Sequence, residues 1–484
     1  MNAWTAAYPA VYALLGSCDL SAQTINTITL NPATTYQTIT GWEAAAQAGQ
    51  SDPLFPNFKD TLFNQAVNDL GVNRLRLEIN SGAENTRDFW TEFRNGQIDN
   101  ATLRCLRYST VNDNADPFVI NPSGFQFAQL DDTVDNVVLP MMQKLQARGE
   151  RLYVNLNYVA FTGQMTGAGC PAGLQYNHDD SPDEYAEFVL ATYQHLQSKY
   201  GWGPDSWEII LEPDNTSFWR GTQIGNAIAA AGSRLQANAF SSPRFVAPSV
   251  TNMANASPYF DAMIAVSGVQ QYLSEISYHR YGGVSTGNLQ SIASRAVQYG
   301  LNTGMLEHIA ANYLELHDDL KIGRNSAWQQ FALAFPTSDN GAQYYWIDAG
   351  GGVNIGGRTK FLRQYFKYIR KGAVRIDAVS NNSGFDPLAF INTDGKYVVV
   401  VKTSAGGSFS IQGLPAGTYG IKYTAGGADS PAYYDVDSTD RTITAGQAVA
   451  ASIPIAGAIT IYAKSFGPAP DAIPPAKPRG LRIQ

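Results

Sequence analysis

Apolar, strand-like runs alternate with helical stretches through the first three quarters of the chain. The runs are apolar at nearly every position, which is typical of strands buried on both faces of a parallel sheet. They lie at 36–42, 72–79, 151–158, 206–212, 244–250, 275–281, 304–309 and 342–348, with helical periodicity between them at 59–71, 131–149, 182–201 and 288–300. Eight strands with interleaved helices predict an α/β fold, a (β/α)8 TIM barrel over residues 39–372. A doubly wound sheet is the alternative, but no glycine-rich phosphate loop follows the first strand.

The pattern changes after Gly372. Short β-rich runs separated by glycine turns, without helical periodicity, predict an appended antiparallel β-sandwich at 373–465. An early strand at 24–38 is expected to join that sandwich. Residues 1–23 form a separate N-terminal segment. The proline-rich stretch 466–484 has the composition of a linker and is compatible with an additional C-terminal module.

Composition narrows the class of ligand. Charged residues make up only 15% of the 484 residues, and the net charge is −8 without any basic cluster. Nucleic acid is therefore not an expected partner, because binding phosphates needs clustered lysine and arginine. No run is apolar enough to predict a membrane span. A chain rich in Asn, Ser, Thr, Gly and Tyr suits a neutral carbohydrate ligand. We expect an extracytoplasmic location: secreted, cell-surface or periplasmic.

The three cysteines, Cys18, Cys105 and Cys170, show no metal-binding spacing. Either Cys105 and Cys170 form a disulfide in an oxidising compartment, or all three are free thiols. No serine-hydrolase elbow and no zinc-protease motif is present either. Neither a metal nor any other cofactor is therefore predicted.

Catalytic groups of such barrels sit at the C-terminal ends of the strands. Glu212 lies at the end of the fourth predicted strand and Glu307 at the end of the seventh. A pair of carboxyl groups is the equipment of glycoside hydrolysis, in which one protonates the leaving oxygen and the other attacks the anomeric carbon or activates water. Trp42, Tyr281 and Trp346, also at strand ends, are predicted to stack on sugar rings.

Other polar residues near these strands have simpler interpretations. Glu208 precedes the strand end by four residues and is expected to pair at the bottom of the barrel. Asp214 is expected to cap or orient the following loop, and Glu78 to pair with Arg74 or Arg76. Three histidines are predicted to lie at the surface or in loops, namely His178, His195 and His317.

Several segments resemble clan A glycoside hydrolases, and family 30 in particular, with families 39 and 79 as relatives. They are "ITLNPATTYQTITGW" before strand one, "RLEINSG" in strand two, "YFKYIRKGAVRID" leading out of the barrel and "GLPAGTYGIKYT" in the side domain. The resemblance implies a retaining glycosidase that cleaves β-glycosidic bonds by double displacement. It implies that Glu212 is the acid/base, Glu307 the nucleophile, Arg76 a support for the nucleophile's charge and Tyr281 its hydrogen-bonding neighbour. His279 is implied to line the subsite for the scissile bond.

One position departs from that family. Leu211 stands where the clan has an asparagine that bonds the sugar 2-hydroxyl. Three explanations are open: Asn157 or Asn215 replaces the hydrogen bond, the sugar differs at this position or in its pose, or the barrel is a weak or silent carbohydrate-binding protein. We also expect a raised pKa for Glu212, because Leu211 desolvates the carboxyl and Glu307 adds a negative charge.

Overall fold

The computed structural model describes residues 26–160, 170, 178 and 181–466. The first strand, β1 (Thr27–Thr38), belongs to a second sheet, and the chain enters the barrel with the strand after it. Eight parallel strands then close on themselves, which confirms the barrel. They are β2 (Gly41–Ala45), β3 (Arg74–Asn80), β4 (Tyr153–Val159), β5 (Ser206–Glu208), β6 (Phe245–Asn252), β7 (Leu273–Gly282), β8 (Asn302–Glu307) and β9 (Ala327–Phe335).

The helices that surround the barrel have ordinary start and stop signals. The longest of them begins where the Ser181 hydroxyl accepts from the Glu184 N–H, with Pro182 in the first turn, and ends at Gly201 in the left-handed conformation. The helices are α1 (Phe55–Asn64), α2 (Phe89–Arg94), α3 (Asn100–Leu106), α4 (Ala128–Thr133), α5 (Leu139–Gln146), α6 (Pro182–Tyr200), α7 (Gly221–Ala237), α8 (Ala256–Ile264), α9 (Thr286–Tyr299), α10 (Tyr313–Lys321) and α11 (Gly357–Phe366).

The strand that closes the barrel is not the one predicted at 342–348. The first residues of β9 pair with both β2 and β8, so this nine-residue strand completes the ring. The predicted eighth strand is β10 (Gln343–Ile347), which pairs with the far half of β9 and forms a hairpin with β11 (Val353–Ile355). The prediction was wrong because both segments are apolar, and only the register with β2 decides which one closes the ring.

The C-terminal sheet has nine strands, of which β1 is one. Its strand order is β17-β16-β19-β14-β13-β12-β1-β15-β18, and its two ends approach each other as in a sandwich. The predicted antiparallel character holds for each pairing except that of β1 with β15. Its strands are β12 (Val374–Ser380), β13 (Phe385–Ile391), β14 (Tyr397–Thr403), β15 (Gly407–Gln412), β16 (Gly417–Gly427), β17 (Ser430–Ile443), β18 (Val449–Ile453) and β19 (Gly457–Phe466).

A partly buried ionic cluster joins the barrel to the sandwich. Asp386 of β13 pairs with Lys321 of α10 and lies 3.5 Å from Lys402 of β14. His317 of α10 was expected at the surface but is fully buried, with Nε2 at 3.3 Å from Asp386 and Nδ1 hydrogen-bonded to the Tyr365 hydroxyl. Burial lowers the pKa of His317 to about 4, although Asp386 acts in the opposite direction.

A disulfide links Cys105 at the end of α3 to Cys170, which confirms the first of the two alternatives for this pair. Cys18 lies outside the described residues. So do the N-terminal segment 1–23 and nearly all of the predicted linker at 466–484. Among the described helices, none is long and apolar enough to cross a membrane.

We expect stability to fall as the pH drops from about 6.5 towards 4. The folded-state pKa of His317 lies below its unfolded value of 6.5, so the unfolded chain binds more protons in this interval. This histidine alone should contribute about 3 kcal/mol at pH 7 that is lost near pH 4. Urea unfolding at several pH values measures the slope, and His317→Gln should flatten it. His195→Gln, at a partly exposed histidine, is the control; an unchanged slope in His317→Gln would contradict the assignment.

Candidate active site

Charged side chains fill the barrel interior at alternate positions of its strands. Arg74 of β3 lies between two buried glutamates: its Nε is 2.6 Å from Glu43, and its Nη atoms donate to both oxygens of Glu275 at 2.8 and 2.9 Å. Gly304 leaves the room for Glu275, since a Cβ there would lie 2.4 Å from its carboxylate. Burial raises the pKa of Glu43 to about 7, although the charge of Arg74 lowers it. The interior is thus a polar core with compensated charges.

A second arginine repeats this arrangement two residues further along β3. Arg76 Nε and Nη2 donate to Glu208 at 2.8 and 2.6 Å, and Nη1 donates to Glu307 at 2.7 Å. Both glutamates raise the pKa of Arg76 against the effect of burial, so the arginine stays charged. Glu208 therefore does pair, but with the arginine that holds Glu307 and not at the bottom of the barrel as expected.

Glu212 occupies a left-handed backbone conformation, with φ 49° and ψ 55°. Regular β5 ends at Glu208, but the residues after it still form one backbone hydrogen bond to each neighbouring strand. Leu211 N–H donates to Tyr158 O of β4, and Glu212 N–H donates to Ser249 O of β6, each at 3.0 Å. A non-glycine residue in this region costs roughly 1–3 kcal/mol and persists only where its surroundings fix it. These bonds determine where the Glu212 side chain emerges.

The carboxylates of Glu212 and Glu307 lie close together. One oxygen of each, together with a ring nitrogen of His279, forms a group whose atoms are all within 4.8 Å of one another. His279 Nδ1 is 3.0 Å from Glu212 Oε1, and Asn215 donates to the other oxygen at 2.9 Å. The strand ends four and seven thus bring both predicted glutamates to one place.

The pKa of Glu212 is lowered, contrary to the expectation from sequence. Burial by itself raises this pKa, but the hydrogen bond and charge of His279, with the charge of Arg76, outweigh it. The sequence-based argument counted Leu211 and Glu307 and omitted the cationic neighbours. It failed because the strand-six histidine and the strand-two arginine reach Glu212 only in the folded barrel.

Tyr281 completes the surroundings of Glu307. Its hydroxyl donates to Glu307 Oε1 at 3.1 Å and accepts from the Ile309 N–H at 3.2 Å. Burial and the charge of Glu307 raise the Tyr281 pKa, so this hydroxyl keeps its proton. Glu307 therefore receives one hydrogen bond on each carboxylate oxygen, from Arg76 and from Tyr281.

The loop after Glu212 is held by Asp214. Its carboxylate accepts from the Thr251 and Asn252 N–H groups at 2.7 and 3.0 Å and from Asn255 Nδ2 at 2.9 Å. Asn215 donates to Thr251 Oγ1 at 2.7 Å as well as to Glu212. Asp214 has the orienting position that the sequence suggested.

Leu211 packs in a small apolar cluster with Tyr108 and Val159. Asn157, two residues before Val159 on the same face of β4, is 1% exposed, and within the described part of the chain neither its amide oxygen nor its amide nitrogen has a hydrogen-bond partner.

A cavity of about 530 Å³ opens beside Arg76 at the C-terminal ends of β2, β3 and β9. One wall comes from α2 and α3, and the half-buried Trp90 of α2 lines it. The lining combines apolar and polar groups, and the formal charges of its side chains balance; the polar side chains include those of Gln47, Gln50, Asp52, Arg76, Glu78, Asn100, Arg107 and Gln129. It has the size and the mixture of amide and aromatic groups that suit sugar units.

One predicted sugar-stacking residue, Trp42, does not reach the site, and a second, Trp346, lies on a different element than expected. Trp42 is fully buried, stacked on Phe366 at 4.4 Å between ring centroids, with its Nε1 donating to Ile369 O at 2.6 Å, so its prediction was wrong. Trp42 faces the helices and not the barrel interior. Trp346 lies on the β10–β11 hairpin and not at the end of a barrel strand. Glu78 accepts from Gln47 at 3.1 Å and does not pair with either arginine.

Glu212, His279 and Glu307 are the one group of acidic, histidine or cysteine ligands in the described residues close enough to hold a metal ion. Arg76 already supplies a positive charge at 2.7 Å from Glu307. The site has its own cation and does not call for a metal.

The chain is similar to known glycoside hydrolases in its side domain and in its overall structure. Residues 372–420 match the model of the glycosyl hydrolase family 30 beta sandwich domain. The catalytic domain of GH30 xylanase C from Talaromyces cellulolyticus has a similar structure, with a TM-score of 0.65, 19% identity, and 91% of this chain and 100% of that chain covered. The fold is that of glycoside hydrolase family 30. The family resemblance expected from sequence is confirmed at this level.

Other solved structures share the GH30 fold. A GH30 endoxylanase from Clostridium papyrosolvens C71 gives a TM-score of 0.62 at 19% identity over 90% of this chain and 99% of its own. The endo-beta1,6-glucanase BT3312 gives 0.61 at 17% identity over 91% and 94%. No curated protein matches the sequence. Identities of 17–19% establish the fold but not the activity, which has to be argued from the site.

Two features of this site were not predicted from the sequence: Glu208 pairs with Arg76, and Trp90 lines the cavity. Glu208 had a detectable signal: it sits at an inward, alternate position of a strand that is otherwise apolar, as Arg74 and Arg76 do on β3. Trp90 had none, because α2 lies in a long connection after β3 whose path the strand pattern does not fix.

We expect His279→Gln to raise the pKa of Glu212. The substitution removes the hydrogen bond and charge that offset burial, so the effect of desolvation should prevail. Carbon-13 NMR of glutamate side-chain carboxyls measures the titration, and Glu212→Gln assigns the signal. His308→Gln, at a histidine bonded to Glu315, is the control. A Glu212 pKa that stays low in His279→Gln would show that another group sets it.

Proposed function

We propose that this protein is a retaining glycoside hydrolase that cleaves β-glycosidic bonds in an oligo- or polysaccharide. The observation that carries the proposal is the approach of Glu212 and Glu307 to within 4.8 Å, oxygen to oxygen, at the C-terminal ends of barrel strands four and seven. Retaining enzymes keep their carboxyl groups about 5–5.5 Å apart, whereas inverting enzymes leave room for a water at about 6.5–9.5 Å.

In the first step, the Glu307 carboxylate attacks the anomeric carbon. The glycosidic C–O bond breaks as the ester bond to Glu307 forms, and Glu212 gives its proton to the departing oxygen. Arg76 and Tyr281 each hold one oxygen of Glu307, which keeps the carboxylate aimed at the sugar.

In the second step, Glu212, now a carboxylate, takes a proton from water. The water oxygen attacks the anomeric carbon from the side that the leaving group vacated, and the ester bond to Glu307 breaks. Glu307 is restored as a carboxylate and Glu212 as an acid, so two inversions give net retention.

Glu212 must carry a proton when the first step begins, although its pKa is lowered in the free protein. A bound sugar excludes water from the carboxyl, and desolvation is already the largest influence that raises its pKa. Substrate binding is thus expected to shift Glu212 towards the protonated state, with His279 Nδ1 placed to exchange the proton.

Asn157 is our candidate for the hydrogen bond that Leu211 cannot make. Among the described residues, no group forms a hydrogen bond with the amide oxygen or the amide nitrogen of Asn157. The side chain of Asn215, in contrast, already donates to Glu212 and Thr251. A hydroxyl of the sugar at the catalytic carboxylates would satisfy the Asn157 amide. Of the three explanations for Leu211, this arrangement favours a replaced donor over a different sugar or a silent barrel.

The substrate class follows from the cavity beside Arg76. Its amide and aromatic lining and its balanced charges suit neutral sugar units, with the Trp90 ring as a stacking surface. The similar structures named above include xylanases and an endo-beta1,6-glucanase, so β-linked xylan and glucan are the first polymers to test. The Cys105–Cys170 disulfide supports an oxidising, extracytoplasmic location.

The stereochemistry of azide rescue tests the two roles. A panel of aryl β-glycosides and β-linked polysaccharides identifies an accepted sugar. In Glu307→Ala, azide should replace the nucleophile and give the α-glycosyl azide by one inversion. In Glu212→Ala, azide should attack the covalent intermediate and give the β-glycosyl azide, which NMR distinguishes.

Glu150→Ala is the control for this experiment, since Glu150 precedes β4 and lies at the opposite end of the barrel. It should retain hydrolysis and give no azide adduct. Absence of rescue in Glu307→Ala, or the same anomer from both variants, would remove the assigned roles. Glycan binding without hydrolysis across the panel would instead favour a carbohydrate-binding protein.

We further expect Trp90→Ala to lower kcat/KM for an aryl β-disaccharide about tenfold, the order of one lost aromatic contact. The aryl monosaccharide should be affected less, because it does not reach the cavity. Trp202→Ala, at a partly buried tryptophan before β5, is the matched control. Equal losses on both substrates would place Trp90 outside the sugar-binding cavity.

A further inference from the structure

The most informative group that the proposed reaction does not use is Glu208. It is fully buried in the barrel and accepts from two of the three guanidinium nitrogens of Arg76, Nε and Nη2, while the third, Nη1, donates to Glu307. The nucleophile therefore shares its arginine with a second carboxylate. The single positive charge of Arg76 is therefore shared between the carboxylates of Glu208 and Glu307, each with an oxygen within 2.8 Å of the guanidinium.

Glu208 is itself fixed in place. Asn155 Nδ2 lies 3.3 Å from its Oε2, and the Ser206 hydroxyl donates to Asn155 Oδ1 at 2.7 Å. The bidentate contact fixes the plane of the Arg76 guanidinium, so that Nη1 points to Glu307. Glu208 thus controls both the orientation of Arg76 and the share of its charge that reaches Glu307.

We propose that Glu208 is a positioning residue that tunes the nucleophile through Arg76. The proposal rests on the proposed function, with Glu307 as the nucleophile. An arginine paired with Glu307 alone would hold the carboxylate tightly and make it a poorer base and nucleophile. Because Glu208 accepts from two of the three guanidinium nitrogens, Arg76 holds Glu307 through one nitrogen only, and Glu307 stays reactive.

Loss of the Glu208 charge should therefore lower the Glu307 pKa, since Arg76 would then act on Glu307 alone. Several other groups face this site and contribute to its pH dependence. Around Glu307 they are Glu212, His279, Tyr281 and His308; around Glu208 and Arg76 they are Glu43, Arg74 and Glu275. None of these is altered by a change at position 208.

The barrel supplies a matched control one layer away. Glu275 makes the same bidentate contact with Arg74, and like Glu208 it is buried. Arg74 contacts Glu43 and does not contact Glu307. Glu275→Gln therefore removes an equivalent buried charge without changing the arginine that holds the nucleophile.

The test measures kcat/KM against pH for Glu208→Gln with a 2,4-dinitrophenyl β-xyloside or β-glucoside, whichever the wild type cleaves. Dinitrophenolate leaves without a proton from Glu212, so the acid limb reports the nucleophile. We expect this limb to move about one pH unit lower. The plateau should fall about tenfold, as expected for a less basic nucleophile.

Glu275→Gln should leave the acid limb in place. An unmoved limb in Glu208→Gln, or equal shifts in both variants, would overturn the proposal. If Glu208→Gln does not fold, Glu208→Asp takes its place, because the shorter carboxylate loosens the bidentate contact; a smaller shift in the same direction is then expected, and no shift overturns it. Failure of azide rescue in Glu307→Ala would instead reject the function on which the proposal rests.

Discussion

The pairing of a buried arginine with two glutamates is the constraint on which this barrel depends. Arg74 joins Glu43 to Glu275, and two residues later Arg76 joins Glu208 to Glu307. Charges at this depth are tolerated only when they are paired and hydrogen-bonded, so each arginine fixes the carboxylates around it. The group around Arg76 differs from the group around Arg74 in one respect: one of its members, Glu307, faces the cleft.

Glu212 is held in place in a different way. Regular β5 ends at Glu208, and the chain then follows single hydrogen bonds to Tyr158 and Ser249 until Glu212 adopts its left-handed conformation. This irregular strand end is held from outside by Asp214, which ties the next loop to β6. Glu307 is thus positioned by charge pairing, and Glu212 by backbone geometry.

Many features of this arrangement could be read from the sequence. Strand periodicity predicted the barrel, and strand-end position identified Glu212 and Glu307. The predictions failed where two candidates satisfied the same pattern. The segments 327–335 and 342–347 are both apolar, yet only the first closes the barrel. Trp42 and Trp90 are both aromatic, yet only Trp90 lines the cavity. The lowered pKa of Glu212 also depends on His279 and Arg76, which come from other strands.

The sequence by itself determined the element types, the order of the two domains and the chemical kinds of residue at the strand ends, because these follow from local periodicity. Only the tertiary structure decided which strand closes the barrel and that Glu208 shares Arg76 with Glu307. It also decided that the Asn157 amide has no hydrogen-bond partner among the described residues and that Leu211 packs against Tyr108. These facts depend on register between strands distant in sequence, which sets the partners of each buried polar group.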